Sequence, residues 1–228
     1  RRGALMLSIS VHHPQILDFV RIKRNLKKVT GANVSVRLSN DFMKAVKNNE
    51  EYLQQWPIDT ESPEISNLVD ANSVWQEIIE SAHASAEPGI LFWDTAIKNT
   101  PSDIYAEDGF RSTSTNPCGE IILSPGDSCR LMLVNLTSFV EQPWTKKAEF
   151  NTDKFLKITR KAQRLMDDMI DLEIEQIDKI IEKIDSDPEP EHVKAIEKDM
   201  WLFIKDRASS GRRTGLGVTG VGDAIAML

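Results

Sequence analysis

The sequence lacks what a membrane protein or a secreted disulfide protein needs. No apolar run approaches the roughly 20 residues that span a bilayer, and no signal peptide opens the chain. Two cysteines in 228 residues are too few for a disulfide scaffold. With four histidines that are scattered or paired far away, they cannot form a structural zinc site on their own. We therefore expect a cytoplasmic protein without a membrane partner.

Positive charge is also in deficit, because 28 lysines and arginines face 35 acidic residues and leave a net charge of −7. A general nucleic-acid-binding protein needs a basic face, so we expect no nucleic-acid partner. Small phosphorylated ligands need only a local pocket and stay open.

Familiar nucleotide-binding and metal-binding signatures are missing as well. The glycine-rich segment 211–217 has no Gly-Lys-Ser/Thr at Walker spacing and lacks the placement of a dinucleotide fingerprint. We interpret it as a strand with close backbone approach. The pair His12-His13 points to opposite sides of a strand end and is expected to be satisfied locally. The acidic residues 167–175 are expected to form a solvated helix face.

Hydrophobic patterning predicts alternating strands and helices in the first half and mostly helices in the second. The predicted strands are 4–10, 33–38, 90–93, 121–123, 131–134 and 216–218. The predicted helices begin at Pro14, cover 42–46 with Ser39 or Asn40 as the cap, and begin again at Ser73. A long helix over 153–184 is followed, after the break at 187–190, by a helix that runs through 196–204 and ends at Gly211, and a last helix covers 222–228. We expect a surface connection over 49–70 and a long irregular stretch over 95–117. The order predicts an α/β fold with mostly parallel strands.

The informative stretch is Asn116-Pro117-Cys118-Gly119-Glu120. In an extended loop, residues two apart point to the same side. The amide, the thiol and the carboxylate would then face one substrate together and offer a hydrogen-bonding group, a sulfur and an acid or base. The alternative is a β-turn, Asn-Pro-Cys-Gly, that leads into a strand and buries the cysteine. From the residues alone, both interpretations stay open.

A second thiol, Cys129, follows an apolar segment and the Pro125-Gly126 break. A hairpin-like return could bring it near Cys118, but spacing alone does not establish this. A lone second thiol is usually a small core residue.

Segment 116–120 resembles the active-site finger loop of ribonucleotide reductases. Four further blocks resemble the same family in the same order. Residues 1–5 resemble the end of a specificity loop, 31–36 a following barrel segment, 129–136 the segment with a redox cysteine, and 212–218 a downstream signature. Five ordered blocks over essentially the whole chain make this resemblance far more specific than one pentapeptide.

The resemblance implies radical replacement of a ribose 2′-hydroxyl by hydrogen. Cys118 would become a thiyl radical and take the 3′-hydrogen, Glu120 would accept the 3′-hydroxyl proton, and Asn116 would hydrogen-bond the sugar. Cys129 would be one half of a dithiol that closes to a disulfide, with its partner upstream of this chain. The remaining site candidates are Ser114, Thr115 and Gly119 for substrate binding and Arg1 for the specificity loop, with no metal ligand.

The short connection between Cys118 and Cys129 resembles the adenosylcobalamin-dependent members. It implies adenosylcobalamin as the cofactor of the full enzyme, a ribonucleotide substrate, a nucleoside triphosphate effector and a thioredoxin-like reductant, and it is compatible with a homodimer. The start at Arg1 without a methionine and the stop inside an apolar run lead us to expect a segment of a longer protein.

The implied fold is part of a ten-stranded α/β barrel with a central finger loop and a helix-rich second half. The whole chain, 1–228, would be a single segment of the barrel domain, in which some strands lack neighbours. Its parts are a strand-and-helix half at 1–140 with the finger loop at 111–120, long helices at 151–208, and a strand and helix start at 211–228.

Three alternatives remain open. The first is an oxygen-dependent large subunit that takes its radical from a partner metal subunit. The second is a thiol–disulfide oxidoreductase that uses Cys118 and Cys129, although no Cys-x-x-Cys pair is present. The third is a helical interaction module built on residues 153–208.

Overall fold

The structure, a computed structural model, describes residues 3–25 and 27–228. Arg1, the predicted specificity-loop residue, lies outside the described residues. The chain divides into two compact units, Arg1–Pro125 and Gly126–Leu228. None of the helices in the described part combines the length and the hydropathy that a membrane span requires.

Unit 1 is built on a three-stranded parallel sheet with the strand order β1-β2-β5. The unit also contains four helices, a hairpin, and the loop that carries the cysteine. The strands are β1 (Leu5–Ser10), β2 (Ala32–Leu38), β3 (Glu51–Trp56), β4 (Ile65–Asp70), β5 (Gly89–Phe92), β6 (Ser114–Thr115) and β7 (Ile122–Leu123). The helices are α1 (Ile16–Arg21), α2 (Asn40–Asn48), α3 (Ala71–Ser85) and α4 (Trp93–Asn99), with 3₁₀ turns at Ile22–Arg24 and Pro101–Asp108.

The two faces of the parallel sheet differ in polarity because successive strand residues alternate between them. On one face, Val36 and Leu38 of β2 are fully buried in a core that includes Ile16, Phe42 and Ile78 from the helices. The other face is mainly polar. It carries Met6, Ser8, Ser10, Asn33, Ser35, Arg37 and Leu91, as the strand register shows.

Helix starts in unit 1 follow the capping chemistry of the sequence. Ser39 caps α2, as predicted, by accepting a 3.1 Å hydrogen bond from the backbone N–H of Phe42. The start predicted at Ser73 is wrong by two residues, because the carboxylate of Asp70 accepts from the backbone N–H groups of Asn72 and Ser73 and begins α3 at Ala71.

Two predicted connections contain regular structure. Residues 49–70 form the antiparallel hairpin of β3 and β4. The hydrophobic pattern does not reveal β3, because a polar residue occupies one of its inward positions. This residue, Gln54, is 2% exposed and donates to the carbonyl of Val11. Within 95–117 lie most of α4 and a 3₁₀ turn, and Trp93 begins α4 instead of ending the strand. These short helices have no long apolar face, so their periodicity is weak.

Unit 2 matches the predicted helix-rich pattern closely. Its helices are α5 (Thr152–Ser186), α6 (Glu191–Gly211) and α7 (Val221–Met227), with a 3₁₀ turn at Leu136–Phe139. Its strands are β8 (Leu131–Asn135), β9 (Val140–Glu141), β10 (Glu149–Phe150) and β11 (Gly215–Thr219). β8 and β11 pair in parallel, and β9 and β10 pair in antiparallel fashion.

The glycines of β11 leave room for leucine side chains of β8, whereas the sequence pattern predicted close backbone approach. A Cβ atom on Gly215 would lie 2.7 Å from Leu131 Cδ2, and one on Gly217 would lie 3.0 Å from Leu133 Cδ2.

The predicted α/β class is confirmed, because both units combine helices with parallel strand pairs. The described strands form one three-stranded and four two-stranded sheets and do not close into a barrel.

Candidate functional site

The candidate site is the loop of residues 111–120, which includes β6 and most of the turn that joins β6 to the antiparallel strand β7. In the ladder of β6 and β7, Ser114 pairs with Leu123 and Thr115 pairs with Ile122. The start of the loop is held by Asp103, whose carboxylate accepts from the backbone N–H of Ser112 at 3.1 Å and from its hydroxyl at 2.6 Å. The tip therefore stands on a base that is hydrogen-bonded on both strands.

The tip is a β-turn, not the extended segment that alternation of side chains requires. The N–H of Gly119 donates to the carbonyl of Asn116 at 3.0 Å, and the N–H of Asn116 donates to the carbonyl of Ile121 at 3.0 Å. Pro117 occupies the second position of the turn, which favours proline. Gly119 has a φ of +81°, a left-handed conformation that glycine adopts without strain.

Asn116 shapes this turn from inside. Its Oδ1 accepts a 2.9 Å hydrogen bond from the backbone N–H of Ile121, and the residue is 8% exposed. The side chains of Cys118 and Glu120 are exposed. The interpretation as a β-turn is thus confirmed, but its buried cysteine is wrong, because the turn presents the thiol to solvent.

The three residues predicted to bind substrate have partners within unit 1. Ser114 Oγ lies 3.1 Å from Ser8 Oγ, and Thr115 is buried, with its hydroxyl donating to the carbonyl of Asn116 at 2.9 Å. A Cβ atom on Gly119 would lie 3.9 Å from Leu91 Cδ2, an ordinary van der Waals contact. These residues build and seat the loop in this structure.

The polar face of the parallel sheet holds the loop, a role that the sequence prediction missed. Asn33 Nδ2 donates to the carbonyl of Pro117 at 2.6 Å, and Arg37 Nη1 donates to the carbonyl of Thr113 at 3.1 Å. The available signal was the alternation of polar residues along β2, at positions 33, 35 and 37, and at the end of β1, at positions 8 and 10. When helices cover one face of a sheet, polar residues on the opposite face indicate that a polar segment or solvent contacts that face.

A cleft of about 520 Å³ lies at the carboxyl ends of the three parallel strands, next to the start of the loop. Ligands of open α/β sheets usually bind at this edge. The Arg37 guanidinium lies 5.0 Å from the ring centroid of Trp93, and burial lowers its pKa. The cleft is lined by Ser10, His12, Arg37, Ser39, Ile58, Asp59, Trp93, Asp94, Ile97, Asp103, Ala106, Arg111, Ser112 and Thr113.

A hydrogen-bond network around the buried Tyr52 side chain borders the same cleft. The Tyr52 hydroxyl lies 3.0 Å from Ser39 Oγ and 2.8 Å from a ring nitrogen of His12. Burial raises the pKa of Tyr52 to about 12. The rings of His13 and Trp56 are in tilted contact, with centroids 4.9 Å apart and planes at 55° to each other. Both histidines are satisfied locally, as predicted, and the described residues contain no cluster of three or more potential metal ligands.

The second candidate cysteine lies in unit 2. Cys129 precedes β8, and its side chain is exposed. Nearby, Arg130 Nε donates to Glu173 at 2.7 Å, and Arg213 forms a 2.8 Å ion pair with Asp127. The predicted solvated face of α5 is partly occupied, because Arg212 pairs with both Asp167 and Asp171.

The whole sequence matches a family model described as "Ribonucleotide reductase, barrel domain", over residues 1–228. A vitamin B12-dependent ribonucleoside-diphosphate reductase of Thermoplasma acidophilum is 33% identical over 184 residues, which are 79% of this chain and 22% of that protein. A protein of the same name from Mycobacterium tuberculosis (strain CDC 1551 / Oshkosh) is 28% identical over 229 residues, covering 100% of this chain and 28% of its own length.

A solved structure, the class Id ribonucleotide reductase alpha subunit of Actinobacillus ureae, superposes with a TM-score of 0.55 at 16% identity. The match covers 98% of this chain and 35% of that one. At this identity the likeness shows the fold alone. The match thus spans 22% and 28% of the lengths of these two curated relatives, less than a third of each.

Proposed function

The chain belongs to the ribonucleotide reductase family, and we propose that it is the segment of an adenosylcobalamin-dependent catalytic subunit that carries the radical cysteine, Cys118. The observation that carries the proposal is the exposed thiol at the tip of a hydrogen-bonded turn, in a chain whose whole length matches the barrel domain. Relatives named as vitamin B12-dependent favour this branch over the oxygen-dependent one.

The proposed reaction replaces the 2′-hydroxyl of a ribonucleotide by hydrogen. Water is lost, and two thiols supply the two electrons and close to a disulfide. A thiyl radical at Cys118 takes the 3′-hydrogen atom of the ribose, which makes departure of the neighbouring hydroxyl feasible. The same sulfur returns a hydrogen atom at the end, so Cys118 is regenerated in each turnover.

The geometry of the tip supports the following roles for its neighbouring residues. The Glu120 carboxylate is exposed beside Cys118 in sequence and serves as the general base for the 3′-hydroxyl proton. The Asn116 amide uses its oxygen within the turn, which leaves its NH₂ group as the donor to the sugar. Ser114, Thr115 and Gly119 then support substrate binding through the shape of the loop.

Cys129 supplies one of the two reducing thiols. Its partner is expected upstream of this chain, so the full protein is needed for turnover. A thioredoxin-like protein reduces the resulting disulfide, and a nucleoside triphosphate effector acts through the specificity loop to which Arg1 belongs. The full enzyme is expected in the cytoplasm, where thiols stay reduced, and a homodimer is its expected assembly.

The residues of this chain fit the cofactor, because the Cys118 thiol can donate a hydrogen atom to a radical. Adenosylcobalamin, when bound, supplies a carbon-centred radical, and such a radical can take a hydrogen atom only from a group it can touch. The exposed thiol of Cys118 is such a group, held on a turn that the backbone hydrogen bonds of Asn116 with Gly119 and Ile121 close. This chain's part is to hold that thiol in place and to keep Glu120 and Asn116 beside it.

The ten-stranded barrel is the finer proposal about the fold. The open edges of the β1-β2-β5 and β8-β11 sheets fit strands that the rest of the protein supplies. Leu131 and Leu133 of β8 are 53% and 62% exposed, as expected for strand residues that lack their neighbours. We propose that both units are parts of a single barrel-domain segment, 1–228, with the finger loop at 111–120.

The test uses the full-length protein with adenosylcobalamin, a ribonucleotide and dithiothreitol. Deoxyribonucleotide formation is followed by chromatography, and the radical by electron paramagnetic resonance. Cys118→Ser is expected to abolish both product and radical signal. Cys129→Ser, the matched control, is expected to keep the signal and lose repeated turnover. Product formation by Cys118→Ser, or activity that needs a partner metal subunit instead of the cofactor, would refute the proposal.

A further inference from the structure

The peptide bond that joins Pro117 to Cys118 is tied to the parallel sheet by one side chain. Asn33 Nδ2 donates a 2.6 Å hydrogen bond to the carbonyl of Pro117, and that carbonyl carbon is bonded directly to the backbone nitrogen of Cys118. The contact joins residues 84 positions apart in sequence. It therefore fixes the tip of the loop relative to a distant element.

Asn33 stands on the most constrained strand of unit 1. β2 is the middle strand of the sheet, paired with β1 over Ala32–Arg37 and with β5 over Ser35–Leu38. Ala32 and Val34, which flank Asn33 in β2 and point to the other face of the sheet, are both buried. A side chain on such a strand is a precise reference point because its backbone has little freedom to move.

The other contacts of the loop act at different places. Those of Ser8 with Ser114 and of Arg37 with Thr113 hold its base, beside the β6-β7 ladder. The bonds of Asn116 to Gly119 and Ile121 shape the turn from within. Asn33 bonds the turn itself to the sheet, next to the cysteine.

We propose that Asn33 is a positioning residue for the Cys118 thiol. The inference rests on the proposed function, because radical transfer makes the sulfur position critical. In one turnover the sulfur gives up a hydrogen atom, takes one from the substrate ribose and returns it. Each transfer requires near-contact geometry, and a displacement of about 1 Å can cost about 100-fold in rate.

The experiment compares Asn33→Ala and Asn33→Asp in the full-length protein with Asn72→Ala. Asn33→Asp keeps the shape of the side chain and removes the donor. Asn72 is the matched control: a partly buried asparagine of the same unit, whose Nδ2 donates to Asn49 Oδ1 at 3.0 Å. Three quantities are measured: the kcat and KM of reduction, the rate of Cys118 alkylation by iodoacetamide without cofactor, and the Tm.

Both Asn33 variants are expected to lower kcat about tenfold or more, with KM within about twofold of wild type. Alkylation of Cys118, read from its tryptic peptide, is expected to quicken about threefold because the turn opens more often. The control is expected to change neither. A merely structural role would lower Tm without changing the alkylation rate in the native protein.

The outcomes separate the two proposals. If the wild-type protein makes no deoxyribonucleotide, the proposed function fails, and the alkylation rates still decide the role of Asn33. If Cys118 reacts at the wild-type rate in Asn33→Asp, or if that variant keeps the wild-type kcat, the positioning role is overturned. Because aspartate has the same shape as asparagine, the measurements on Asn33→Asp still test the proposal if Asn33→Ala does not fold.

Discussion

The side-chain oxygen of Asn116 accepts a 2.9 Å hydrogen bond from the backbone N–H of Ile121, across the turn that presents Cys118. The same amide is therefore a structural part of the turn and the proposed donor to the substrate. Its two ends are chemically different: the oxygen accepts and the nitrogen donates. Substitutions can remove one function and keep the other.

Asn116→Asp is expected to keep the turn, since a carboxylate accepts the Ile121 N–H, while the donor to the sugar is lost. We expect the free energy of unfolding to stay within about 0.5 kcal/mol of wild type and reduction to fall about 100-fold. Asn116→Ala is expected to lose both the hydrogen bond to Ile121 and the donor to the sugar, with a destabilisation of about 1–2 kcal/mol. Urea unfolding and kcat measurements check this. Equal stability losses in the two variants would contradict the structural role.

Gly119→Ala tests the backbone conformation behind the thiol. The φ of +81° is unfavourable for any residue with a Cβ, while the nearest side-chain atom, Leu91 Cδ2, leaves 3.9 Å of room. The expected cost of about 1–2 kcal/mol is thus conformational and not steric. Gly31→Ala is the control, because no atom lies within 4 Å of its ideal Cβ and its φ is not in the left-handed range. Equal unfolding midpoints in urea for the two variants would argue against this account.

Tyr52→Phe tests the buried network of Tyr52, Ser39 and His12. Burial raises the pKa of Tyr52 to about 12 in the folded protein, whereas an unfolded tyrosine ionises near pH ~10. The unfolded chain therefore loses this proton first as the pH rises. The stability from Tyr52 is fully present below pH ~10 and is lost as the pH rises through ~12.

In the Tyr52→Phe variant, the unfolding free energy should fall less steeply between pH ~10 and ~12 than in wild type. Denaturant unfolding at several pH values gives this slope. Phenolate absorbance gives the ionisation step, which should vanish from the titration near pH 12. If the variant had the wild-type slope, and if Tyr52 of the wild type ionised well below pH ~12, the Tyr52 hydroxyl would not be buried.

Glu173→Ala tests the ion pair that supports the segment after Cys129. Arg130 Nε donates to Glu173 at 2.7 Å, and the Arg130 side chain is 7% exposed against 33% for Glu173. Removal of the carboxylate leaves a buried guanidinium without its counter-charge, at a cost of about 2 kcal/mol after allowance for the exposed partner.

Asp185→Ala is the matched control in the same unit. It breaks the ion pair of Lys198 with Asp185, whose side chains are 38% and 55% exposed. Surface pairs contribute little, so we expect a change within about 0.5 kcal/mol. The comparison is made by urea unfolding of both variants. A Glu173→Ala protein as stable as Asp185→Ala would show that burial of Arg130 does not matter.

The residues of the loop predicted the type of turn but not the exposure of its cysteine. The Asn-Pro-Cys-Gly sequence predicts a β-turn, since proline and glycine fit its positions, and this is confirmed. Whether the cysteine is buried or exposed depends on which side of the turn meets the sheet. That orientation is set by Asn33 and Ser8, which lie far away in sequence, so no local pattern contains it.

The hairpin of β3 and β4 shows the same limit in the fold. Its inward position is taken by Gln54, which is polar but satisfied by the carbonyl of Val11. A hydrophobic pattern cannot predict such a position, because burial of a polar group depends on a partner from another strand. The long helices α5 and α6, in contrast, repeat their apolar residues locally and were predicted nearly to the residue.

The sequence by itself determined the family, the α/β class, the long helices and the candidate residues Asn116, Cys118 and Glu120. These rest on local order along the chain: periodicity, turn residues and the succession of motifs. Only the tertiary structure decided that the thiol is exposed, that Asn116 turns inward, and that the polar face of β1 and β2 holds the loop. Such facts arise from contacts between residues many positions apart, and these contacts form only when the chain is folded.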